Sequence, residues 1–309
     1  MKSFAERLNV PTGVVDVILD TDTYNEIDDQ FALAYYLLNP QRINPVGICA
    51  APFFNKRSES PADGMEKSYQ EIMKVLDLME RDDMKPLVFR GSCEYLPDES
   101  TPVASDAAKF MAEKANAYSP ENPLYIVAIG AITNVASAIL LNREAMVKNT
   151  VIVWLGGNAL SFPHTKEFNM KQDYAAARVL FDCGAPVVQL PCMGIVSEFR
   201  TTHGELTEWL AGKNPIADYL CKNTIEEAES YGKGTAWSRC IWDVTAVAWL
   251  LNDRNRFMES HLTPAPIPEY DGFYAFRPDR HPIRYVSYIR RDPLFTDLFQ
   301  KLIAWKSKK

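Results

Sequence analysis

Histidine is scarce in this chain. The four present, His164, His203, His261 and His281, are scattered without the short spacings that hold zinc, so a zinc site is disfavoured. Cysteine offers no substitute. Cys49, Cys93, Cys183, Cys192, Cys221 and Cys240 form no Cys-x-x-Cys pair and mostly lie in apolar contexts, so buried free thiols in a reducing cytoplasm are expected. Basic residues are the minority charge. With 33 Lys and Arg against 40 Asp and Glu the net charge is −7, which argues against nucleic-acid binding. No uninterrupted apolar stretch is long enough to span a membrane, and the opening Met-Lys-Ser-Phe-Ala-Glu-Arg-Leu lacks a signal-peptide core, so a cytoplasmic location is expected. The remaining composition, 47% hydrophobic and 24% charged, is that of a soluble globular enzyme. No repeat or low-complexity linker divides the 309 residues, and they are read as one α/β domain, 1–309.

What the chain does have is a dense acidic stretch. The β-branched apolar run Val14-Val15-Asp16-Val17-Ile18-Leu19 stops at Asp20-Thr21-Asp22-Thr23-Tyr24-Asn25-Glu26-Ile27-Asp28-Asp29 and then enters a helical pattern. Asp20, Asp22, Asp28, Asp29 and Glu26 have no Lys, Arg or His among them. Carboxylates so close raise one another's pKa, and a bound hard cation such as Ca²⁺ or Mg²⁺ relieves the conflict. Each residue alone has a plainer explanation: Asp28 and Asp29 suit the first turn of a helix, and Asp20 suits a turn.

Apolar β-rich runs alternate with helical spacing along the chain. Strands are predicted over 14–19, 43–50, 87–89, 124–129, 151–155 and 187–190, with helices over 28–38, 62–79, 104–117, 135–141 and 175–181. Beyond Pro191 the pattern turns mainly helical (203–210, 215–230, 244–251), with an irregular stretch around Pro264, Pro266 and Pro268, a late strand over 285–289 and a closing helix over 293–305. This predicts an α/β fold: a mostly parallel, Rossmann-like central sheet flanked by helices, with a helix-rich C-terminal part. Such folds bind ligands outside the carboxyl ends of their strands. Those ends offer Asp20 and Asp22, then Asn55, then Ile129-Gly130-Ala131-Ile132-Thr133-Asn134, then Gly156-Gly157-Asn158 and Glu167-Phe168-Asn169, with Trp242-Asp243 opening a late apolar helix.

Four of these motifs, in this order, resemble the signature of the inosine-uridine-preferring nucleoside hydrolases: Asp-x-Asp followed by Asp28-Asp29, the 129–134 turn, Glu167-Phe168-Asn169 and the late Asp243. The resemblance runs from about Val14 to Leu251. It implies hydrolysis of the N-glycosidic bond of ribonucleosides with a tightly held Ca²⁺. By position, Asp22, Asp29 and Asp243 would be carboxylate ligands and Ile129 would add its backbone carbonyl. Asp22 would also be the base toward the attacking water. Asp28 and Asn169 would hold the ribose 2′- and 3′-hydroxyls, Glu167 would bind toward the 5′-hydroxyl, and Asp20 would stand behind the metal. Family relatives form dimers or tetramers, so a homodimer or homotetramer is expected.

Two departures from the family pattern stand out. The five residues 23–27 replace a three-residue Pro-Gly-containing loop, which brings Asn25 and Glu26 into consideration. Trp242 stands where well-studied members carry a histidine that protonates the leaving base, and indole cannot deliver a proton at neutral pH, though it can stack on a base. Three routes remain open: His164 as acid, Tyr231 as acid, or aromatic stacking with protonation by solvent. Determinants of base preference are sought in 95–102, 161–166 and 231–242, where Trp242 is a base contact. Two other functions compete. A haloacid-dehalogenase-type phosphatase would use Asp20-x-Asp22, but Tyr24 occupies its Thr or Val position and the downstream lysine and acidic pair are missing. A non-catalytic nucleoside- or ribose-binding homologue would explain the missing histidine.

Overall fold

A computed structural model describes residues 3–307. Its strands are β1 (Val15–Thr21), β2 (Ile43–Ala50), β3 (Val88–Arg90), β4 (Leu124–Ala128), β5 (Thr150–Leu155), β6 (Val187–Leu190), β7 (Arg200–Thr201), β8 (Arg239–Cys240), β9 (Met258–Pro264), β10 (Ile267–Pro268), β11 (Tyr274–Ala275) and β12 (Pro282–Ile289). Eight of them form one sheet in the order β3-β2-β1-β4-β5-β6-β12-β9. All neighbours are parallel except the β12–β9 edge pair.

Side chains alternate across the central strands, and both faces are buried. Val17 and Leu19 of β1 join Tyr125 and Val127 of β4 in one apolar layer, while Ile18 packs with Ile126, Ile152 and Trp154 in the other. That is why these segments read as continuous apolar runs. The helix Asp29–Leu37 is buried at every position, between the sheet and the later helices. Its Tyr36 hydroxyl donates to the Val17 carbonyl at 2.6 Å, tying it to the strand that carries the acidic stretch.

The expected alternation of strands and helices through β6 is observed. The C-terminal part keeps its helices, His203–Leu210, Pro215–Gly232, Val244–Trp249 and Arg291–Ala304, but it also completes the sheet. Strand β12 starts three residues before the expected late strand and pairs with β6. Strand β9 has no counterpart in the expectation. It is an edge strand with only Met258 buried, so it carries no apolar run, and its terminal Pro264 is tolerated because an edge leaves one row of backbone groups unpaired. All six cysteines are free thiols, with only Cys93 exposed. No helix among the described residues is long and apolar enough to cross a membrane.

The order 3-2-1-4 reverses direction between β1 and β4. The crevice at that reversal, outside the carboxyl ends of the two strands, is where the fold leaves room for a ligand.

Candidate active site

The acidic stretch emerges at this reversal. The backbone ladder continues past the strand ends on both sides: the N–H of Ile129 donates to the Asp20 carbonyl (2.9 Å) and that of Ala51 to the Thr21 carbonyl (2.8 Å). The chain then turns, with the Asn25 N–H bonded to the Asp22 carbonyl at 2.7 Å. Asp28 is the N-cap residue of the next helix, yet its side chain makes no capping hydrogen bond, and the same is true of Asp243 before Val244–Trp249. Neither carboxylate therefore serves as a helix cap.

Their carboxylates go elsewhere. Asp28, Asp29 and Asp243 each present an oxygen within 4.8 Å of the others, and all three are buried. Thr21 donates to Asp29 Oδ1 at 2.6 Å. Asp22 lies outside that trio but lines the same cavity, and both of its oxygens are buried without a hydrogen-bond partner. Gly130 packs against it: a Cβ at Gly130 would lie 2.8 Å from Asp22 Oδ1. Asp20 stands behind, fully buried, accepting from Asn134 Nδ2 at 2.8 Å.

Burial pushes all these carboxyls up. Asp29 is raised to about 6, against the pull of the Thr21 hydroxyl, and Asp20 to about 7, against the pull of Asn134. Asp22, Asp28 and Asp243 are raised well above the carboxylate range, first by burial and then by neighbouring charge, chiefly Asp29, Glu26 and Asp28 respectively. Arg239, paired with Glu26 and Glu227, pulls Asp28 the other way. An all-oxygen donor set of this charge, with orphaned buried oxygens on Asp22, fits a hard divalent cation.

The cavity has a volume of about 400 Å³. Its far wall comes from the segment after β5. Glu167 caps the helix Phe168–Gln172, accepting from the N–H groups of Asn169 (2.8 Å), Met170 (3.0 Å) and Gly157 (2.8 Å). Burial raises its pKa, and these three bonds oppose the shift. Asn169 Nδ2 donates to the carbonyls of Ile129 (3.1 Å) and Leu155 (3.0 Å), which leaves Oδ1 as the end free to accept from a ligand. Phe162, His164 and Trp242 complete the apolar side.

Residues 17–270 match the sequence profile of the inosine-uridine preferring nucleoside hydrolases. The chain belongs to this family. It is 25% identical over 261 residues to the pyrimidine-specific ribonucleoside hydrolase RihA of Shewanella sp. (strain MR-7), covering 76% of this chain and 77% of that one. Among solved structures, the plant nucleoside hydrolase PpNRh1 matches with a TM-score of 0.73 and 19% identity over 94% of this chain and 99% of that one. The purine-preferring ribonucleoside hydrolase from Gardnerella vaginalis matches with a TM-score of 0.71 and 19% identity, over 94% and 98%. These two share the fold. As a nucleoside hydrolase the protein acts on N-glycosyl compounds, cleaving the N-glycosidic bond of ribonucleosides.

The nucleoside hydrolase fold gathers Asp22, Asp28, Asp29, Ile129, His164, Glu167, Asn169, Trp242 and Asp243 around one cavity. Asn55 is not among the lining residues; its Nδ2 donates to Asn25 Oδ1 at 2.6 Å, so it supports Asn25, which does line the cavity together with Glu26. Tyr231 is exposed beside Arg239 and does not line it, and no residue of 95–102 does. Tyr95 instead donates to Gln172 at 2.6 Å. Asn158, Phe162 and Lys166, from the strand end and the 161–166 loop singled out in the sequence, do line it; Cys192 and Met193 are lining residues that sequence reasoning passed over. Cys192 and Met193 follow the carboxyl end of β6, so the strand-end rule could have found them.

The raised carboxyls set a pH dependence. A carboxyl raised in the folded state is destabilising once ionised, and that cost grows as pH rises from the unfolded value, near 4, through the folded one. The cluster's contribution to stability without a divalent cation therefore falls between about pH 4 and 7, spanning the values of about 6 for Asp29 and about 7 for Asp20. Because a cation favours the ionised carboxylates, the gap in Tm between protein saturated with a divalent cation and chelated protein should widen from pH 5.5 to 7.5. Differential scanning fluorimetry at both pH values measures it; a gap that narrows would contradict these shifts.

Proposed function

We propose that the protein is a calcium-dependent ribonucleoside N-ribohydrolase acting as a single unit over 1–309, with a homo-oligomeric assembly and a cytoplasmic location. The observation that carries the cofactor is the orphaned, buried Asp22 carboxylate beside the converging Asp28, Asp29 and Asp243. In this reading Asp22, Asp29, Asp243 and the Ile129 carbonyl hold the ion, and Asp28, hydrogen-bonded to Asp243, is a further donor at the same point. A bound calcium supplies Lewis acidity toward water and toward the ribose diol.

The remaining work belongs to the chain. Asp22 accepts the proton of the attacking water. Asp28 and Asn169 Oδ1 accept from the 2′- and 3′-hydroxyls and hold the anomeric carbon at the attacking side. Glu167 faces the 5′-hydroxyl, and Asp20 keeps the field behind Asp22 negative. As the C1′–N bond breaks, the ribosyl group gains oxocarbenium character, which the fixed carboxylates stabilise more than they stabilise the neutral substrate. Trp242 and Phe162 supply aromatic surface for the base, and His164 stands with them on the leaving-group side.

A panel of purine and pyrimidine ribonucleosides with p-nitrophenyl riboside, assayed for reducing sugar with and without chelator, tests this reading. Ribose release that stops on chelation and returns with calcium supports it. Nucleoside binding without release would favour the binding-protein alternative.

A further inference from the structure

The hydrogen bonds around His164 fix where its ring hydrogen sits. The backbone N–H of Lys166 donates to His164 Nδ1 at 3.2 Å. A backbone N–H has no acceptor capacity, so Nδ1 is the acceptor. Asn158 reinforces this. Its Oδ1 accepts from the Met193 N–H at 3.2 Å, which orients the amide so that Nδ2 faces the histidine. Nδ2 donates to the His164 carbonyl at 3.0 Å and lies 3.4 Å from Nδ1. Asn158 is only 1% exposed, so this arrangement is built into the wall. Phe162 packs edge-to-face against the ring, with centroids 5.2 Å apart. The neutral ring then carries its hydrogen on Nε2.

Resting on the hydrolase reading above, we propose that His164 serves the reaction as a neutral Nε2–H hydrogen-bond donor to the departing base and does not transfer a proton. Asn158 and the Lys166 N–H act as its positioning groups. When the C1′–N bond breaks, its electron pair passes to the base, and negative charge builds on a conjugated acceptor, a purine ring nitrogen or a pyrimidine carbonyl oxygen. The Nε2–H stabilises that charge. Giving up its one N–H proton would leave imidazolate, so the ring keeps it and the base takes its proton from water. Trp242 cannot play the acid, so this donor and aromatic stacking together replace one.

The test compares inosine, whose base needs stabilisation as it leaves, with p-nitrophenyl riboside, whose phenolate does not. The readout is the ratio of kcat on the two substrates. His164→Ala should lower that ratio by about 30- to 100-fold, the scale of one hydrogen bond to a charged group. His164→Gln places an amide N–H near the lost Nε2–H and should stay within about threefold of wild type. A proton-transferring acid would make the two variants equally deficient. ¹⁵N NMR of histidine-labelled protein, assigned by difference with His164→Gln, should show the Nε2–H tautomer at assay pH. Asn158→Asp keeps an acceptor for Met193 but replaces the donor to Nδ1 with an acceptor; it should move hydrogen onto Nδ1 and lower the ratio.

Equal loss in both His164 variants, an unchanged ratio in His164→Ala, an Nδ1–H or doubly protonated ring, or a wild-type tautomer and ratio in Asn158→Asp would each overturn the proposal. Wild-type protein that cleaves neither riboside would overturn the hydrolase reading, and the ring's role with it. Cleavage of both with no His164 dependence would overturn only the proposal about the ring.

Discussion

Asp22→Asn should lower kcat on ribonucleosides by about a thousandfold, within the range for loss of a positioned general base. The substitution is nearly isosteric, so the effect is not one of packing. Asp22 is 1% exposed, neither oxygen has a hydrogen-bond partner, and the missing Cβ of Gly130, which would lie 2.8 Å from Oδ1, gives the carboxylate the room it occupies. An amide there cannot accept a full proton and brings N–H groups to a place prepared for anionic oxygen. KM should change less than kcat, because the ribose acceptors Asp28, Asn169 and Glu167 are untouched. Steady-state kinetics on inosine and uridine, with calcium saturating, make the measurement. A variant within tenfold of wild type in kcat would remove Asp22 from the reaction.

Asp243→Asn should act on stability and metal affinity in opposite directions. Without calcium, Asp243 is a buried carboxylate crowded by Asp28, Asp29 and Asp22, and each raises its pKa. Removing its charge relieves that repulsion, so the chelated variant should melt above chelated wild type, by about 1.5 °C for each kcal/mol relieved in a chain of this length. With calcium the order should reverse, because the variant has lost a charged donor and with it at least about 100-fold in affinity, more than is usual for groups that only support a ligand. Ribose release at micromolar calcium should collapse and recover partly at millimolar calcium. Melting curves with chelator and with excess calcium reveal the crossing. If the variant melted lower under both conditions, Asp243 would be a structural residue and no metal ligand.

Much of this was legible in the sequence, and the exceptions have physical reasons. β1 was readable because a strand buried on both faces is an uninterrupted apolar run, and an acidic loop cannot extend it. The ordered Asp-rich, Glu-Phe-Asn and late Asp motifs pointed to one crevice because a parallel sheet delivers its strand ends to one edge. Strand β9 was hidden because, as an edge strand, it buries only Met258 and carries polar residues through Glu259-Ser260-His261, so it has no apolar run to read. Which carboxylates converge was also hidden. Asp28 and Asp29 are adjacent, and only the entry angle of the helix turns both toward Asp243 while Asp22 stands beside the trio. Asn55 was a reasonable choice as the first amide after β2, but the longer 23–27 loop puts Asn25 in front of it. His164 was identified by its type and its place in the loop before Glu167; that its Nδ1 is an acceptor depends on backbone geometry that no spacing encodes.

The central claim is that the buried aspartates at the end of β1 exist to hold one divalent cation without which the glycosidic bond is not cut. Calorimetric titration of chelator-stripped protein with calcium, with ribose release from inosine followed on the same samples, tests it most directly. One calcium per chain should bind, with protons released on binding, and activity should rise from background to full in step with occupancy. Full activity in stripped protein, or calcium uptake that leaves ribose release unchanged, would contradict it.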